Sequence, residues 1–65
     1  MISDKTIRNI IAVYLGYDAS QVIIEESITN GALTKYSGKV KDKLVFEIYL
    51  DKVNNIKRYH CYNLR

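Results

Sequence analysis

The sequence predicts a single α+β domain over residues 1–65, in which an N-terminal amphipathic helix packs on a small, mostly antiparallel sheet of three to four strands. Three observations predict this fold. Apolar residues recur with helical spacing near the N-terminus, this period changes from residue 21 to segments that are rich in β-branched residues or alternate, and polar turn signals separate these segments. A chain of 65 residues is long enough for one domain with a thin core.

The helix is predicted from the stretch SDKTIRNIIAVYLG. Its apolar residues fall at i, i+3, i+4, i+7 and i+8, which places them on one helix face. They are Ile7, Ile10, Ile11, Tyr14 and Leu15. Ser3 is a suitable N-cap, and Gly16 fits the C-terminal end. A helix of about three turns is marginal in water, so its apolar face is expected to pack on the sheet.

The rest of the chain divides into segments that resemble strands. QVIIEESI is rich in β-branched residues, and Asn30-Gly31 is the strongest turn signal in the chain. ALTKYSGKV is the second segment, in which Gly38 predicts a weak or bulged position. After the polar turn KDK, the stretch KLVFEIYLD alternates most clearly, and IKRYHCYNL forms the last strand.

Residues 10–28, IIAVYLGYDASQVIIEESI, resemble the first helix and following loop of acyl carrier proteins. In that family a helix ending in Leu-Gly is followed by an Asp, a Val and a Glu-Ser pair. The family's Asp-Ser-Leu motif, whose serine carries the phosphopantetheine arm, does not occur in this sequence, and the later segments have the spacing of strands. The chain is therefore not assigned to the family, and no cofactor is expected.

The last two strands are expected to form a hairpin with Asn54-Asn55 as a type I′ turn. On the core side, Leu50, Ile48 and Phe46 would then face Tyr59, Cys61 and Asn63. On the opposite side, Asp51, Tyr49, Glu47 and Val45 would face Arg58, His60, Tyr62 and Leu64. A longer loop over residues 51–55 is the alternative.

The side of the hairpin away from the helix carries the candidate partner-binding residues Tyr49, Arg58, His60 and Tyr62. Tyrosine and arginine dominate many protein interfaces because they combine a large contact area with polar groups. An exposed apolar and aromatic sheet face is unusual, so three explanations are open. The face is covered by the chain's first strand or a second protomer, it binds another protein, or it stacks nucleic-acid bases.

Basic residues are concentrated in the second half of the chain. Residues 1–34 hold two basic and four acidic residues, and residues 35–65 hold eight basic and three acidic ones, so the balances are −2 and +5. This asymmetry suits an acidic partner, and Lys39, Lys41 and Lys57 are the candidate nucleic-acid contacts. Because lysines also keep strand edges soluble, nucleic-acid binding is the second prediction.

No catalytic residue and no metal site are predicted. One cysteine and one histidine do not suffice for a zinc finger. Cys61 is expected in the core, on the opposite side of its strand from His60. Glu47 and His60 are the one acid–base pair on the outer side, but a flat sheet face does not exclude water. The protein is therefore predicted not to be an enzyme.

The predicted function is the binding of another protein or of a second copy as a homodimer. No stretch has the length and apolarity of a membrane span or the features of a signal peptide, so a cytoplasmic location without membrane contact is expected. Ile, Asn, Lys and Tyr are frequent and have AT-rich codons, which suits an accessory protein of a phage or mobile element that caps a host protein.

Overall fold

The computed structural model describes residues 4–64. In chain order it contains the helix α1 (Asp4–Leu15), a 3₁₀ turn (Ala19–Gln21) and the strands β1 (Val22–Asn30), β2 (Leu33–Val40), β3 (Leu44–Leu50) and β4 (Ile56–Asn63). The strands lie in the order β1-β2-β3-β4, and each is antiparallel to its neighbour. The predicted fold class is confirmed.

The helix ends where the sequence predicts. Gly16 has a φ of +85°, a conformation that glycine adopts without strain. The N–H groups of Gly16 and Tyr17 both donate to the carbonyl oxygen of Ala12, at 2.8 and 2.9 Å, which caps the last turn. The predicted N-cap, Ser3, lies outside the described residues.

The core lies between α1 and one side of the sheet. Ile7 and Ile11 of the helix are fully buried, as predicted. The buried apolar side chains of the sheet include every second residue of β3, and they are Val22, Val40, Leu44, Phe46, Ile48 and Leu50. The other three residues of the predicted apolar helix face are less buried: Ile10 and Leu15 are half-buried, and Tyr14 is 45% exposed.

A β-bulge interrupts β1 between Ile24 and Glu26, opposite Gly38 of β2. The sequence predicted an irregularity at Gly38, and the structure places the extra residue, Glu25, in the partner strand. Gly38 is buried, and a Cβ at this position would overlap the carbonyl oxygen of Ile23. Glycine therefore allows the backbone of β1 to approach β2 closely at the bulge.

The predicted register of the β3–β4 hairpin is wrong by two residues. Tyr59 lies opposite Ile48 rather than Leu50, and Cys61 lies opposite Phe46. A shift of two residues keeps each side chain on its predicted side of the sheet, because side chains alternate with a period of two.

The longer loop over residues 51–55 replaces the type I′ turn. The Asp51 carboxylate accepts hydrogen bonds from the N–H groups of Val53 and Asn55, at 3.0 and 2.8 Å. Only Asn54 of the expected turn pair has a positive φ, of 67°. An aspartate that bonds the following backbone stabilises a loop of this kind, so Asp51 belongs to the loop and does not pair with Arg58.

The prediction that Cys61 is buried is wrong. All of β4 after Ile56 is exposed, including Cys61. The helix packs mainly on β1 and the 3₁₀ turn. Tyr14 of the helix reaches β4, where its ring meets that of Tyr59 at a centroid distance of 5.3 Å and an angle of 70°. The helix side of β4 therefore lies at the margin of the core.

Candidate functional site

The side of the sheet away from α1, here called the outer face, is not covered by any segment within residues 4–64. The antiparallel registers align its side chains in rows across all four strands. The first row consists of Ile28, Lys35, Tyr49 and Arg58. The second consists of Glu26, Ser37, Glu47 and His60, and the third of Ile23, Lys39, Val45 and Tyr62.

The four predicted partner-binding residues, Tyr49, Arg58, His60 and Tyr62, lie together on the outer face. Their cross-strand partners differ from the expected ones, because Arg58 lies opposite Tyr49. The Arg58 Cζ is 5.7 Å from the centre of the Tyr49 ring, within the range of a cation–π contact. This contact holds the guanidinium group beside the aromatic surface.

The first row forms one wall of a shallow hollow of about 270 Å³. Its lining consists of Ile28, Asn30, Leu33, Lys35, Tyr49 and Arg58. Lys35 and Arg58 both lie directly across from Tyr49, on its two sides. Two cations beside apolar and aromatic surface suit a carboxylate that is next to an apolar group. Lys35 was not among the predicted contacts, since its place depends on the β2–β3 register.

His60 lies beside Tyr62 and Glu47. Its Nδ1 is 3.3 Å from the Tyr62 hydroxyl oxygen, and the two rings are 6.0 Å apart. Glu47 lies directly opposite His60 rather than on the expected diagonal. These three residues line, with Tyr49 and its neighbours, a second hollow of about 420 Å³ that opens to solvent. Such an open site offers surface for contact and little shielding of reacting groups from water.

The three lysines predicted to contact nucleic acid lie apart. The Lys39 Nζ on the outer face is 4.0 Å from a Glu25 carboxylate oxygen. Lys41 lies in the turn between β2 and β3, at one end of the sheet. Lys57 lies near the other end, with its Nζ 4.0 Å from the Asp51 carboxylate. They do not form one basic patch.

Charges of both signs occupy the outer face. The first and third rows contribute Lys35, Lys39 and Arg58, and the second row contributes Glu26 and Glu47. The acidic row therefore runs between the two basic rows. A surface with this alternation suits a partner with a matching pattern of charges better than a continuous run of phosphates.

Two groups on the helix side have shifted pKa values. Partial burial raises the pKa of the Cys61 thiol, which reduces its nucleophilic form at neutral pH. Burial and the neighbouring Tyr59 raise the pKa of Tyr14. Cys61 and His60 lie on opposite sides of β4, so they do not form a Cys–His couple. Within residues 4–64, His, Cys, Asp and Glu side chains form no cluster of three or more that could hold a metal ion.

Of the explanations left open for the outer face, coverage by the chain's own first strand is wrong, because β1 pairs beside β2 at the edge of the sheet. Comparisons with known proteins assign no family: no family model matches the chain, and searches of curated proteins and solved structures return no match. None of the described residues belong to a helix long and apolar enough to cross a membrane.

Proposed function

We propose that the domain is a non-catalytic module that binds another protein through the outer face of its sheet. The observation that carries this proposal is the first row, in which Tyr49 lies between Lys35 and Arg58 beside a hollow that Ile28 and Leu33 also line. An arginine and a tyrosine at the centre of a contact surface are the residue types that most often dominate binding energy.

The partner surface that suits this row combines an acidic side chain with apolar neighbours. The carboxylate would be bound by Arg58, which can donate two parallel hydrogen bonds, and by Lys35. The Tyr49 ring and the side chains of Ile28 and Leu33 would exclude water around that contact. His60 and Tyr62 would extend the contact along β4. The net charge of +3 also favours association with an acidic protein.

The setting we propose is cytoplasmic, with the domain acting as an accessory protein of a phage or mobile element that caps a host protein. The support for this setting is the high content of Ile, Asn, Lys and Tyr, amino acids whose codons are AT-rich, together with the small size of a chain of 65 residues. Finding the gene within an ordinary chromosomal operon would contradict it. A second copy of the chain is the alternative occupant of the outer face.

The second candidate function is the binding of single-stranded nucleic acid. It is favoured by the position of Tyr49 between two cations, because a base could stack on the ring while Lys35 and Arg58 contact phosphates. The carboxylates of Glu26 and Glu47 weigh against it, since a strand crossing the face would approach them. Protein binding is therefore the preferred function.

The test compares the full chain with Tyr49→Ala and with Val13→Ala as a matched control. Val13 is an apolar side chain that is 82% exposed on the helix, away from the outer face. Proteins captured from the source cell would be identified, and their affinity measured with purified components. Tyr49→Ala should weaken binding by about 30-fold or more, the effect of a hot spot of about 2 kcal/mol. Equal losses with both variants would refute the proposal.

Salt separates the two functions. Binding of a short single-stranded oligonucleotide should weaken steeply between low and moderate salt, and each phosphate contact removed should lower the slope. Substitution of Lys39, Lys41 or Lys57 by alanine tests the lysines named from the sequence, and Lys35→Ala tests the first row. Oligonucleotide binding that depends on Lys35 and Tyr49, without a protein partner, would favour the second function.

A further inference from the structure

We propose that the domain also associates with a second copy of itself at the edge of the sheet, where the β4 strands of the two copies pair antiparallel about a two-fold axis. The two sheets would then form one continuous sheet. This contact is made mainly by backbone groups at the edge of β4, and Arg58 is the one side chain of the first row that takes part in it. It therefore goes beyond the proposed function and does not depend on it.

The two edges of the sheet differ in protection. The strand order leaves β1 and β4 as edges. In β1, Glu25 forms a bulge within the strand and Glu26 follows it, and both the bulge and the two acidic residues oppose pairing with another strand. In β4, the register shift and the charges of Lys57 and Arg58 lie at the N-terminal end of the strand. Residues 59–64, YHCYNL, contain no Lys, Arg, Asp, Glu or Pro, and no register shift interrupts their pairing with β3.

The backbone of β4 presents unpaired groups at this edge. The Leu64 N–H donates to the Lys43 carbonyl oxygen at 2.8 Å, toward β3. In an antiparallel ladder, successive residues direct their N–H and C=O groups to opposite sides of the strand. The N–H and C=O groups of Tyr59, Cys61 and Asn63 therefore point to the open edge. No strand within residues 4–64 pairs with them.

The sequence of β4 suits pairing with itself. In the proposed register His60 lies opposite His60 of the second copy. Arg58 then lies opposite Tyr62 of the second copy, and Tyr59 lies opposite Cys61 of the second copy. The antiparallel direction places the Lys57-Arg58 pairs of the two copies at opposite ends of the contact, so like charges are separated. Each Arg58 would meet an aromatic ring, which is a favourable cross-strand pair.

The helix side adds an apolar contact. Antiparallel pairing in one sheet requires a two-fold axis perpendicular to the sheet, so both helices lie on the same side. Tyr14 and Tyr59, which are 45% and 55% exposed, would then line a trough between the two helices. Stable interfaces bury about 1,200 Å² or more of surface. A contact between two single edge strands buries less than this area. The dimer should therefore be weak and depend on concentration.

The first experiment measures amide hydrogen exchange of the full chain by NMR at low and high protein concentration, together with the solution mass. In the monomer, the amides of His60, Tyr62 and Leu64 should be protected by β3, while those of Tyr59, Cys61 and Asn63 exchange fast. At high protein concentration the amides of Tyr59, Cys61 and Asn63 should become protected from exchange, and the solution mass should double. A chain that stays monomeric, or a dimer in which these amides stay unprotected, would overturn the proposal.

A thiol cross-link tests the direction of pairing. In the proposed register the two Cys61 residues lie diagonally across the strand pair, with their Cα atoms about 7–8 Å apart. A short bismaleimide should therefore link them, and Cys61→Ser is the control for the reagent. Because the raised pKa of the thiol slows the reaction, it is run above neutral pH. Assemblies larger than a dimer, in which β1 amides gain protection and Cys61 is not linked, would indicate β1–β4 pairing and refute the two-fold contact.

Two variants separate this contact from the outer face. Cys61→Pro removes an N–H that points to the open edge and none that bonds β3, so it should abolish the dimer, and circular dichroism checks that the fold is kept. Tyr49→Ala should leave the dimer unchanged. If Tyr49→Ala abolishes self-association and Cys61→Pro does not, the edge proposal fails, and a second copy is the occupant of the outer face. If neither variant changes a chain that stays monomeric, the edge proposal fails, and the proposed function is tested separately by capture of a protein partner.

Discussion

Gly38→Ala should destabilise the domain strongly, because the added methyl group would meet backbone atoms. The new Cβ would overlap the carbonyl oxygen of Ile23 and lie 3.0 Å from the Cα of Ile24. Backbone atoms in a paired strand cannot rotate away as the end of a side chain can. The β1 strand would therefore have to move away from β2, with distortion of the hydrogen bonds around the bulge.

The size of the effect follows from two opposing contributions. Overpacking costs about 1–3 kcal/mol, and contact with backbone favours the upper end of that range. Alanine also has less conformational freedom than glycine in the unfolded chain, which stabilises the folded state by about 0.4–1 kcal/mol. The net loss is about 2 kcal/mol, out of about 3–10 kcal/mol for a domain of 65 residues. Since 1 kcal/mol lowers Tm by about 4–8 °C in small domains, Tm should fall by about 8–16 °C.

The assay is thermal unfolding followed by circular dichroism, with urea unfolding for the free energy. Gly16→Ala is the matched control, because Gly16 has a φ of +85° and open space around its Cα. Its cost should come from backbone strain alone, about 1–2 kcal/mol, and Gly16→Asn should recover part of it. Unchanged or increased stability of Gly38→Ala would refute the claim that close approach of β1 requires glycine.

Two further predictions concern the core and the last loop. Phe46→Ala should lower the free energy of unfolding, measured in urea, by about 3–5 kcal/mol, because Phe46 is fully buried. Phe46→Leu should lower this free energy much less. Equal losses for the two variants would contradict this packing. Hydrogen bonds from two backbone N–H groups lower the pKa of Asp51. The larger effect comes from Asn55 and the smaller from Val53. The ionised carboxylate therefore stabilises the fold above the unfolded-state pKa of about 3.9, and this stabilisation disappears as the pH falls through the lower folded value. Asp51→Asn should accordingly lower Tm at neutral pH and flatten its fall below about pH 5, and parallel curves for both proteins would contradict the loop contacts.

The strongest patterns in the sequence predicted the fold. Ile7 and Ile11 are buried on the helix, and the alternation of β3 matches its buried and half-buried residues. Both patterns depend on local periodicity, which the chain itself specifies. The prediction of the hairpin register was wrong because it relied on Asn54-Asn55, which is a strong local turn signal. The competing hydrogen bonds to Asp51 extend over the whole loop. A choice between two loops is decided by their hydrogen bonds, which the residue pattern does not contain.

The candidate site was predicted in part for a similar reason. Alternation along β3 and β4 was enough to assign Tyr49, Arg58, His60 and Tyr62 to one side. Lys35 was missed because its place beside Tyr49 depends on how β2 aligns with β3. The exposure of Cys61 was missed because alternation indicates which side a residue occupies, while its burial depends on how far the helix extends across the sheet.

The strand order also affects how the chain folds. Each strand pairs with its neighbour in sequence, and the connections span residues 31–32, 41–43 and 51–55. Short connections of this kind close quickly, so the sheet can grow by successive hairpins without long loop closures. The core, however, joins Ile7 and Ile11 to Ile48 and Leu50 from much later in the chain. Docking of the helix on the assembled sheet is therefore the step with the largest loss of chain entropy, and residues of that contact should control the folding rate.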